Sequence, residues 1–165
     1  MAKSLLRTDK EIAEIYERHM KTVYRVCFAY MKNPADSEDA VSETFFKMIQ
    51  SGAAFENAEH EKAWLIRTAS NICKNTLKHW WRRNKPLEEV VYLRGPENME
   101  IDGTLEAVMG LPEKYKTVVY LYYYERYTGA EIAGLLRKPQ STVRNYLHEA
   151  RLILKNKLGG EFDER

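Results

Sequence analysis

Cysteine is scarce in this sequence, since Cys27 and Cys73 are the only two among 165 residues. Both lie in apolar patterns of helical spacing, and neither has the nearby cysteine or histidine partners that a zinc site requires. Small secreted domains that depend on disulfides carry many more cysteines. The scarcity argues against both classes and predicts two buried, reduced thiols in a cytosolic protein.

Long apolar runs are also missing. Stretches such as Val118–Tyr124 are interrupted within a few residues, whereas a membrane-spanning helix needs about 20 apolar residues. The first residues, MAKSLLRTDKE, contain no long apolar run and no small-residue cleavage site of a signal peptide. We therefore expect a cytoplasmic protein without membrane insertion.

The short motifs of common enzymes are absent. The sequence contains no Gly-x-x-x-x-Gly-Lys, no Gly-x-Gly-x-x-Gly and no His-Glu-x-x-His. The histidines are scattered, at His19, His60, His79 and His148, and the isolated pair His60-Glu61 falls in a predicted surface loop. We therefore expect no catalytic residues, no metal and no cofactor. An enzyme remains the main alternative from another functional class.

Charge is unevenly distributed, although the net charge is only +2. Residues 74–85 include five basic side chains and no acidic one, and residues 137–157 include six basic side chains and a single glutamate. Residues 86–106, between these regions, include six acidic side chains and one arginine. This pattern indicates two contact regions for a polyanion, and the alternative is two solvated helix faces.

Helical periodicity dominates the chain, and the alternation typical of strands is absent. Apolar residues recur at helical spacing from about Asp9 to Trp81 and again from Thr104, and the segment between them is acidic and rich in proline and glycine. The sequence therefore predicts an all-α fold of two small helical domains joined by a flexible linker, the C-terminal one a helix-turn-helix. The predicted boundaries are residues 8–84, 85–103 and 104–160.

Breaks in the periodicity predict where the N-terminal helices begin and end. Asn33-Pro34 interrupts the pattern, so we expect Asp36 or Ser37 to cap the second helix. A loop over Ser51–Glu61 then precedes a long helix from about Lys62 to Arg83.

The C-terminal part contains a further set of helix signals. Leu111-Pro112 is expected to open a helix that Thr128-Gly129 closes. Helices over about Ala130–Leu136 and Gln140–Leu158 follow, with a tight turn between them. A short helix, a turn and a basic helix are typical of a helix-turn-helix, and the alternative is an ordinary helical hairpin.

The last helix has two faces of opposite character. The apolar face consists of Val143, Leu147, Ala150 and Leu154. The polar face consists of Ser141, Asn145 and His148, with Arg144 and Arg151 at its margins. The polar face can meet base edges in a DNA groove, and the arginines can meet phosphates or guanines.

The helix near Ser37–Gln50 combines an apolar stripe with an unusual outer face. The expected buried stripe consists of Val41, Phe45, Met48 and Ile49. The outer face consists of Asp39, Glu43, Phe46 and Gln50. An aromatic ring among carboxylates fits a basic protein partner, whereas the alternative is that Phe46 packs beneath another helix of the same domain.

The long helix Lys62–Arg83 carries a polar and basic face suited to opened DNA. Leu65, Ala69, Ile72 and Thr76 are expected to face inward. The opposite face consists of Arg67, Asn71, Lys74, Lys78 and Arg82, with Trp81 at its edge. Aromatic and basic side chains together stack on bases and neutralise phosphates of single strands.

These segments resemble the extracytoplasmic-function sigma factors of bacterial RNA polymerase, in the family's order and over nearly the whole chain. DSEDAVSETFFKMI (residues 36–49) resembles the core-polymerase-binding helix of that family. AWLIRTASNICKNTLKHWWRR (residues 63–83) resembles the helix that reads the promoter −10 element. Residues 111–158 resemble the −35-reading domain of the family, and their sequence is LPEKYKTVVYLYYYERYTGAEIAGLLRKPQSTVRNYLHEARLILKNKL.

The resemblance implies three contact sets. The side chains facing the polymerase clamp would be Asp39, Glu43, Phe46 and Gln50. The −10 element would meet Asn71, Lys74, Asn75, Lys78, Trp81 and Arg82, with the loop Ser51–Glu61 forming a pocket for a flipped base. The −35 element would meet Gln140, Ser141, Thr142, Arg144, Asn145, His148 and Arg151.

The resemblance also implies the partners of the protein. They are core RNA polymerase, through the clamp and flap regions of its large subunits, promoter DNA, and an anti-sigma factor. A stand-alone helix-turn-helix regulator is the alternative within DNA-binding proteins. Such a regulator would bind duplex DNA by itself, whereas a sigma factor would act only together with polymerase.

Overall fold

The computed structural model describes residues 7–82 and 103–158. They fall into two compact units, the first within Met1–Ile101 and the second within Asp102–Arg165. Every regular element in the described residues is helical, which confirms the predicted all-α fold. The expected linker, residues 85–103, lies outside the described residues except for Gly103. None of the described helices combines the length and the apolar character needed to cross a membrane.

The described residues of the first unit form three long helices: α1 (Asp9–Met31), α2 (Pro34–Ser51) and α3 (Ala58–Arg82). The second half of α1 is its centre, because nearly every side chain from Val23 to Met31 is buried. Helices α2 and α3 both pack against α1 and also against each other. Each of them therefore buries one stripe of side chains and leaves the opposite face to solvent.

Helix α2 begins earlier than the sequence suggested. Asn33 caps it, since its Oδ1 accepts a hydrogen bond of 2.9 Å from the backbone N–H of Asp36. Pro34 occupies the first turn, where its missing N–H has no helical partner to lose. The expected cap at Asp36 or Ser37 was wrong because the proline starts this helix instead of preceding it.

Helix α3 also begins early, at Ala58, which places Glu61 inside the helix and not in a surface loop. Glu61 is only 7% exposed. Its Oε1 accepts a hydrogen bond of 2.9 Å from Arg18 Nη2 and lies 2.9 Å from Nε2 of the buried His19. The prediction of His60-Glu61 as a surface pair holds for exposed His60 and is wrong for Glu61, which links α3 to α1.

The two cysteines lie in the core of the first unit. Cys27 of α1 and Cys73 of α3 are both free and fully buried, which confirms the prediction of buried thiols. The hydrogen bond with the Cys73 thiol and the burial of the site raise the pKa of Cys27 well above its ordinary value. The Cys27 thiol therefore stays protonated and behaves as a small apolar group.

The second unit contains four helices: α4 (Gly103–Met109), α5 (Glu113–Val119), α6 (Gly129–Leu136) and α7 (Gln140–Leu158). A π-helical turn over Tyr120–Tyr124 continues α5. Thr128 was expected to end this helix, but it caps the start of α6 instead. Its Oγ1 accepts from the Glu131 N–H at 3.1 Å, and the Glu131 carboxylate accepts from the Thr128 N–H at 2.9 Å. This reciprocal pair is the Thr-x-x-Glu capping box, which the sequence already contained.

Helices α6 and α7 form the predicted helix-turn-helix. Helix α6 ends at Leu136, and the following Arg137 adopts a left-handed backbone (φ 57°) that turns the chain toward α7. The predicted apolar stripe of α7 is confirmed, because Val143, Leu147, Ala150 and Leu154 are all buried. Helix α5 packs on the same helix, where the Tyr115 hydroxyl donates to the Glu149 carboxylate. This hydrogen bond raises the pKa of Tyr115.

Removing the buried carboxylate should destabilise the first unit. We expect Glu61→Ala to lower its free energy of unfolding by about 2–3 kcal/mol, because buried His19 loses the carboxylate that lies 2.9 Å from its Nε2, while Arg18 can turn toward water. Tryptophan fluorescence during urea unfolding measures this unit alone, since all three tryptophans lie in it.

The matched control is Glu59→Ala. The Glu59 side chain is 71% exposed and lies 3.8 Å from Lys62 Nζ, so its loss should change the unfolding free energy by about 0.5 kcal/mol or less. Equal shifts of the urea midpoint for the two variants would contradict a structural role for Glu61.

Candidate functional site

The outer face of α2, called here the acidic face, consists of Asp39, Glu43, Phe46 and Gln50. All four side chains are exposed, and Phe46 is 57% exposed. The neighbouring Phe45 is only 6% exposed and packs on Tyr16 of α1, with ring centroids 4.9 Å apart. Among the described residues, Phe46 therefore does not pack beneath another helix, unlike the alternative in which it would be buried in its own domain.

Ile49 was expected in the buried stripe of α2, but it is 39% exposed. The stripe is centred on small side chains, Ser37, Ala40 and Thr44, which are all buried. The hydroxyl of Thr44 is satisfied inside the helix, where it donates to the Ala40 carbonyl at 2.7 Å. The centre of the stripe lies away from Ile49, so Ile49 joins Phe46 at the surface, three positions further along the helix.

The polar face of α3 contains the residues expected to meet the −10 element. Asn71, Asn75 and Lys78 are exposed, and Lys74 is half-buried. The backbone of Trp81 and Arg82 belongs to the last turn of α3, but their side chains lie outside the described residues. Successive members three or four positions apart lie on one side of the helix, as predicted.

A cleft of about 410 Å³ opens between α2 and α3, called here the α2–α3 cleft. Its walls are Lys47, Gln50 and Ser51 of α2, and Trp64, Arg67, Thr68, Asn71, Ile72 and Asn75 of α3. The cleft joins Gln50, expected on the polymerase surface, to Asn71 and Asn75, expected on the −10 surface. Its combination of an indole ring, amides and two cations can stack on a base and neutralise a phosphate.

Sequence reasoning missed part of this cleft. Lys47, Trp64 and Thr68 line the cleft, but no role in binding had been predicted for them. Trp64 is half-buried and faces both the cleft and the ring of Phe55, 5.7 Å away. A pattern within one helix cannot identify such residues, because the cleft exists only where two helices meet.

The loop before α3 is shorter than expected. It consists of residues 52–57, since α2 ends at Ser51 and α3 begins at Ala58. Gly52 adopts a left-handed conformation (φ 64°) that suits glycine and ends α2. The loop therefore leaves α2 at the rim of the α2–α3 cleft, to which Ser51 contributes.

The exposed face of α7 carries the residues expected to meet the −35 element. Gln140, Ser141, Arg144, Asn145 and His148 are exposed, and Thr142 is half-buried. They lie opposite the buried stripe that packs α7 onto its own unit. This face therefore offers hydroxyl, amide, imidazole and guanidinium groups within the first half of the helix, where recognition helices usually meet base edges.

Arg151 differs from the other members of the −35 set. Its Nε donates a hydrogen bond of 3.0 Å to the Tyr123 hydroxyl, and its guanidinium lies 5.9 Å from the ring centroid of Tyr122. Its side chain is thus held against the π-helical turn, whereas Arg144 is exposed. The structure separates the two arginines that the sequence had placed at the margins of one face.

Comparison with family models matches both units. The model of sigma-70 region 2 matches residues 15–85, and the model of sigma-70 region 4 matches residues 103–154. The first match covers most of α1 and all of α2 and α3, and the second covers α4, α5, α6 and most of α7.

Characterised proteins show the same likeness over nearly the full chain. The RNA polymerase sigma factor SigV of Bacillus subtilis (strain 168) is 30% identical, over 87% of this chain and 88% of its own length. The ECF RNA polymerase sigma factor SigW of the same organism is 26% identical, over 94% of both chains.

A solved structure has a similar fold. The sigma factor RpoE of Bartonella quintana, crystallised in complex with the anti-sigma factor NepR, superposes with a TM-score of 0.73. The match covers 93% of this chain and 99% of that one, at 16% sequence identity. The two matched regions and the relatives show that the chain belongs to the sigma-70 family, as an RNA polymerase sigma factor of the extracytoplasmic-function type. Sigma factors are transcription initiation factors and not enzymes.

Proposed function

We propose that residues 8–84 bind core RNA polymerase and the −10 element, that residues 104–160 bind the −35 element, and that residues 85–103 link them. The observation that carries this division is that each compact unit presents its own polar helix face, on α3 and on α7. The protein would work in the cytoplasm, where polymerase and promoter DNA are found.

The acidic face of α2 is the proposed contact with the polymerase clamp. Phe46 supplies an apolar anchor, Ile49 extends it, and Asp39 and Glu43 flank it with negative charge. An aromatic anchor inside a polar rim is the usual composition of an interface, and the two carboxylates of this rim favour a partner surface that is apolar at its centre and basic around it. Contact with the flap would fall to the second unit.

The α2–α3 cleft is the proposed site for a −10 base that has left the duplex. Trp64 offers a ring for stacking, while Asn71 and Asn75 offer amides that can read the edge of a base. Lys74 and Lys78 lie further along α3, where they would neutralise the phosphates of the opened strand. Trp81 and Arg82 would extend this contact.

The exposed face of α7 is the proposed −35 reader. Arg144 carries a fork of donors that fits guanine, and Gln140, Ser141, Asn145 and His148 surround it. Because Arg151 is hydrogen-bonded to Tyr123, it would lie at the margin of the groove. There it would contact a phosphate or hold α7 in place. Its influence would then be similar for every promoter.

An anti-sigma factor is the proposed regulator. The structurally similar RpoE is known in complex with the anti-sigma factor NepR. In the present chain, the exposed apolar side chains of Phe46 and Ile49 would give such a partner a surface that polymerase also needs. Binding of one partner would then exclude the other.

Run-off transcription with core polymerase tests the function as a whole. Promoters are selected from a random library with the reconstituted holoenzyme, and transcription is measured with and without this protein. We expect specific transcripts only when both proteins are present, and little binding of the selected duplexes by the protein alone. Tight, sequence-specific binding of duplex DNA without polymerase would instead indicate a stand-alone regulator.

Two adjacent phenylalanines provide a matched test of the acidic face. Phe46→Ala should weaken core polymerase binding by about 2 kcal/mol or more, roughly thirtyfold, because it removes the anchor of the interface. Its effect on unfolding should be about 0.5 kcal/mol or less, since the ring is mostly exposed. Fluorescence titration with core polymerase and urea unfolding give the two values.

The control, Phe45→Ala, should show the opposite pattern. It empties a buried site and should lower the unfolding free energy by about 3 kcal/mol or more. Normal polymerase affinity in Phe46→Ala, together with a stability loss like that of Phe45→Ala, would assign Phe46 to the core and exclude it from the interface.

The two arginines of α7 should affect promoter choice differently. Arg144→Ala should weaken binding by about 1–3 kcal/mol and relax the preference at one base pair, because it removes a donor fork from the base edges. Arg151→Ala should weaken binding to all promoters by about the same factor. Selection of a promoter library with each variant holoenzyme measures both effects. If the consensus changes with Arg151→Ala and not with Arg144→Ala, the proposed roles must be exchanged.

A further inference from the structure

Arg7 connects the start of α1 to the loop that follows α2. It directly precedes Thr8, the residue that caps α1. Its Nη2 donates a hydrogen bond to the carbonyl oxygen of Ala53, and its guanidinium lies 5.0 Å from the ring centroid of Phe55. One side chain therefore holds the backbone and the largest side chain of the loop at residues 52–57.

Phe55 relays this contact to the wall of the α2–α3 cleft. Its ring centroid lies 5.7 Å from that of Trp64 and 5.5 Å from that of His60. Trp64 lines the cleft. Arg7, Phe55 and Trp64 thus form a continuous row of contacts from the N-terminal segment to the surface proposed to receive a base.

The arrangement of Arg7 is unfavourable as a purely stabilising device. Its Nη1 is buried and has no hydrogen-bond partner in the described part of the chain, which lowers stability. Half of the loop that it contacts is exposed, namely Ala54, Glu56 and Asn57. A poorly satisfied cation against such a loop is better explained by the conformation that it imposes on Phe55.

We infer that Arg7 is a positioning residue for base capture at the −10 element, an inference that rests on the proposed function of the α2–α3 cleft. Arg7 fixes Phe55, and Phe55 fixes the indole of Trp64, so the stacking wall is formed before the base arrives. Removing a base from the duplex is itself unfavourable. A wall that did not have to be ordered at the same moment would make capture easier.

Abasic promoters test this role in the reconstituted holoenzyme. Each position of the selected −10 element is replaced in turn by an abasic site, and open complexes are measured by permanganate reactivity. The wild-type holoenzyme should lose open complexes most at the one position whose base enters the cleft. Arg7→Met should form about three- to tenfold fewer open complexes on the intact promoter, and its abasic penalty at that position should shrink by the same factor.

Three further variants separate positioning from other effects. Lys10→Met removes an exposed charge from the same segment and should match the wild type. Phe55→Leu should match Arg7→Met, and the double variant should be no worse than either single one, because both act through one row of contacts. Arg7→Lys keeps a cation near the ring and should be intermediate. Urea unfolding, monitored by tryptophan fluorescence, gives the stability of the first unit in each variant.

The outcomes distinguish the inference from the function beneath it. The positioning role would be overturned if Arg7→Met lost as many open complexes at the abasic position as the wild type does. It would also be overturned if the loss of open complexes across the variants followed the loss of unfolding free energy of the first unit. Either result would leave the cleft as the base site. If the wild-type holoenzyme shows no position-specific penalty, base capture in the cleft is wrong, and the positioning role is rejected with it.

Discussion

The burial of α1 is the constraint on which the first unit depends. From Val23 to Met31 this helix has almost no exposed side chain, so α2 and α3 must cover it from different directions. Each covering helix can bury only one stripe, and its opposite face stays open. The acidic face of α2 and the polar face of α3 are these open faces, and the α2–α3 cleft lies where the two helices meet. The faces proposed for binding therefore follow directly from core packing.

Polar groups inside this unit fix how the helices meet. Glu61 joins α3 to both Arg18 and His19 of α1, and a carboxylate shared by two partners tolerates little sliding between helices. Arg7 fixes the loop at residues 52–57 in a similar way, through its contacts with Ala53 and Phe55. Positions that a base or a phosphate would have to meet are thereby held by groups away from the surface itself.

The second unit uses tyrosines for a similar purpose. Tyr115 holds α7 through Glu149, and Tyr123 holds it through Arg151, so α7 is fixed on both sides of its buried stripe. The π-helical turn brings Tyr122 and Tyr123 into position beside Arg151. Arg144, two helical turns before Arg151, lies beyond these contacts and stays exposed.

Periodicity alone predicted the helical fold and the buried stripe of α7, and it placed Phe46 on the outer face of α2, because each depends only on the spacing of residues along one helix. It left open whether Phe46 packs beneath another helix. It could not predict that Ile49 is exposed, since small residues such as Ser37 and Thr44 set the centre of the stripe on α2. Nor could it place Glu61 beside His19, 42 positions away, or Arg7 beside Phe55. Contacts between distant segments depend on how helices approach each other in space, and only the tertiary structure decided them.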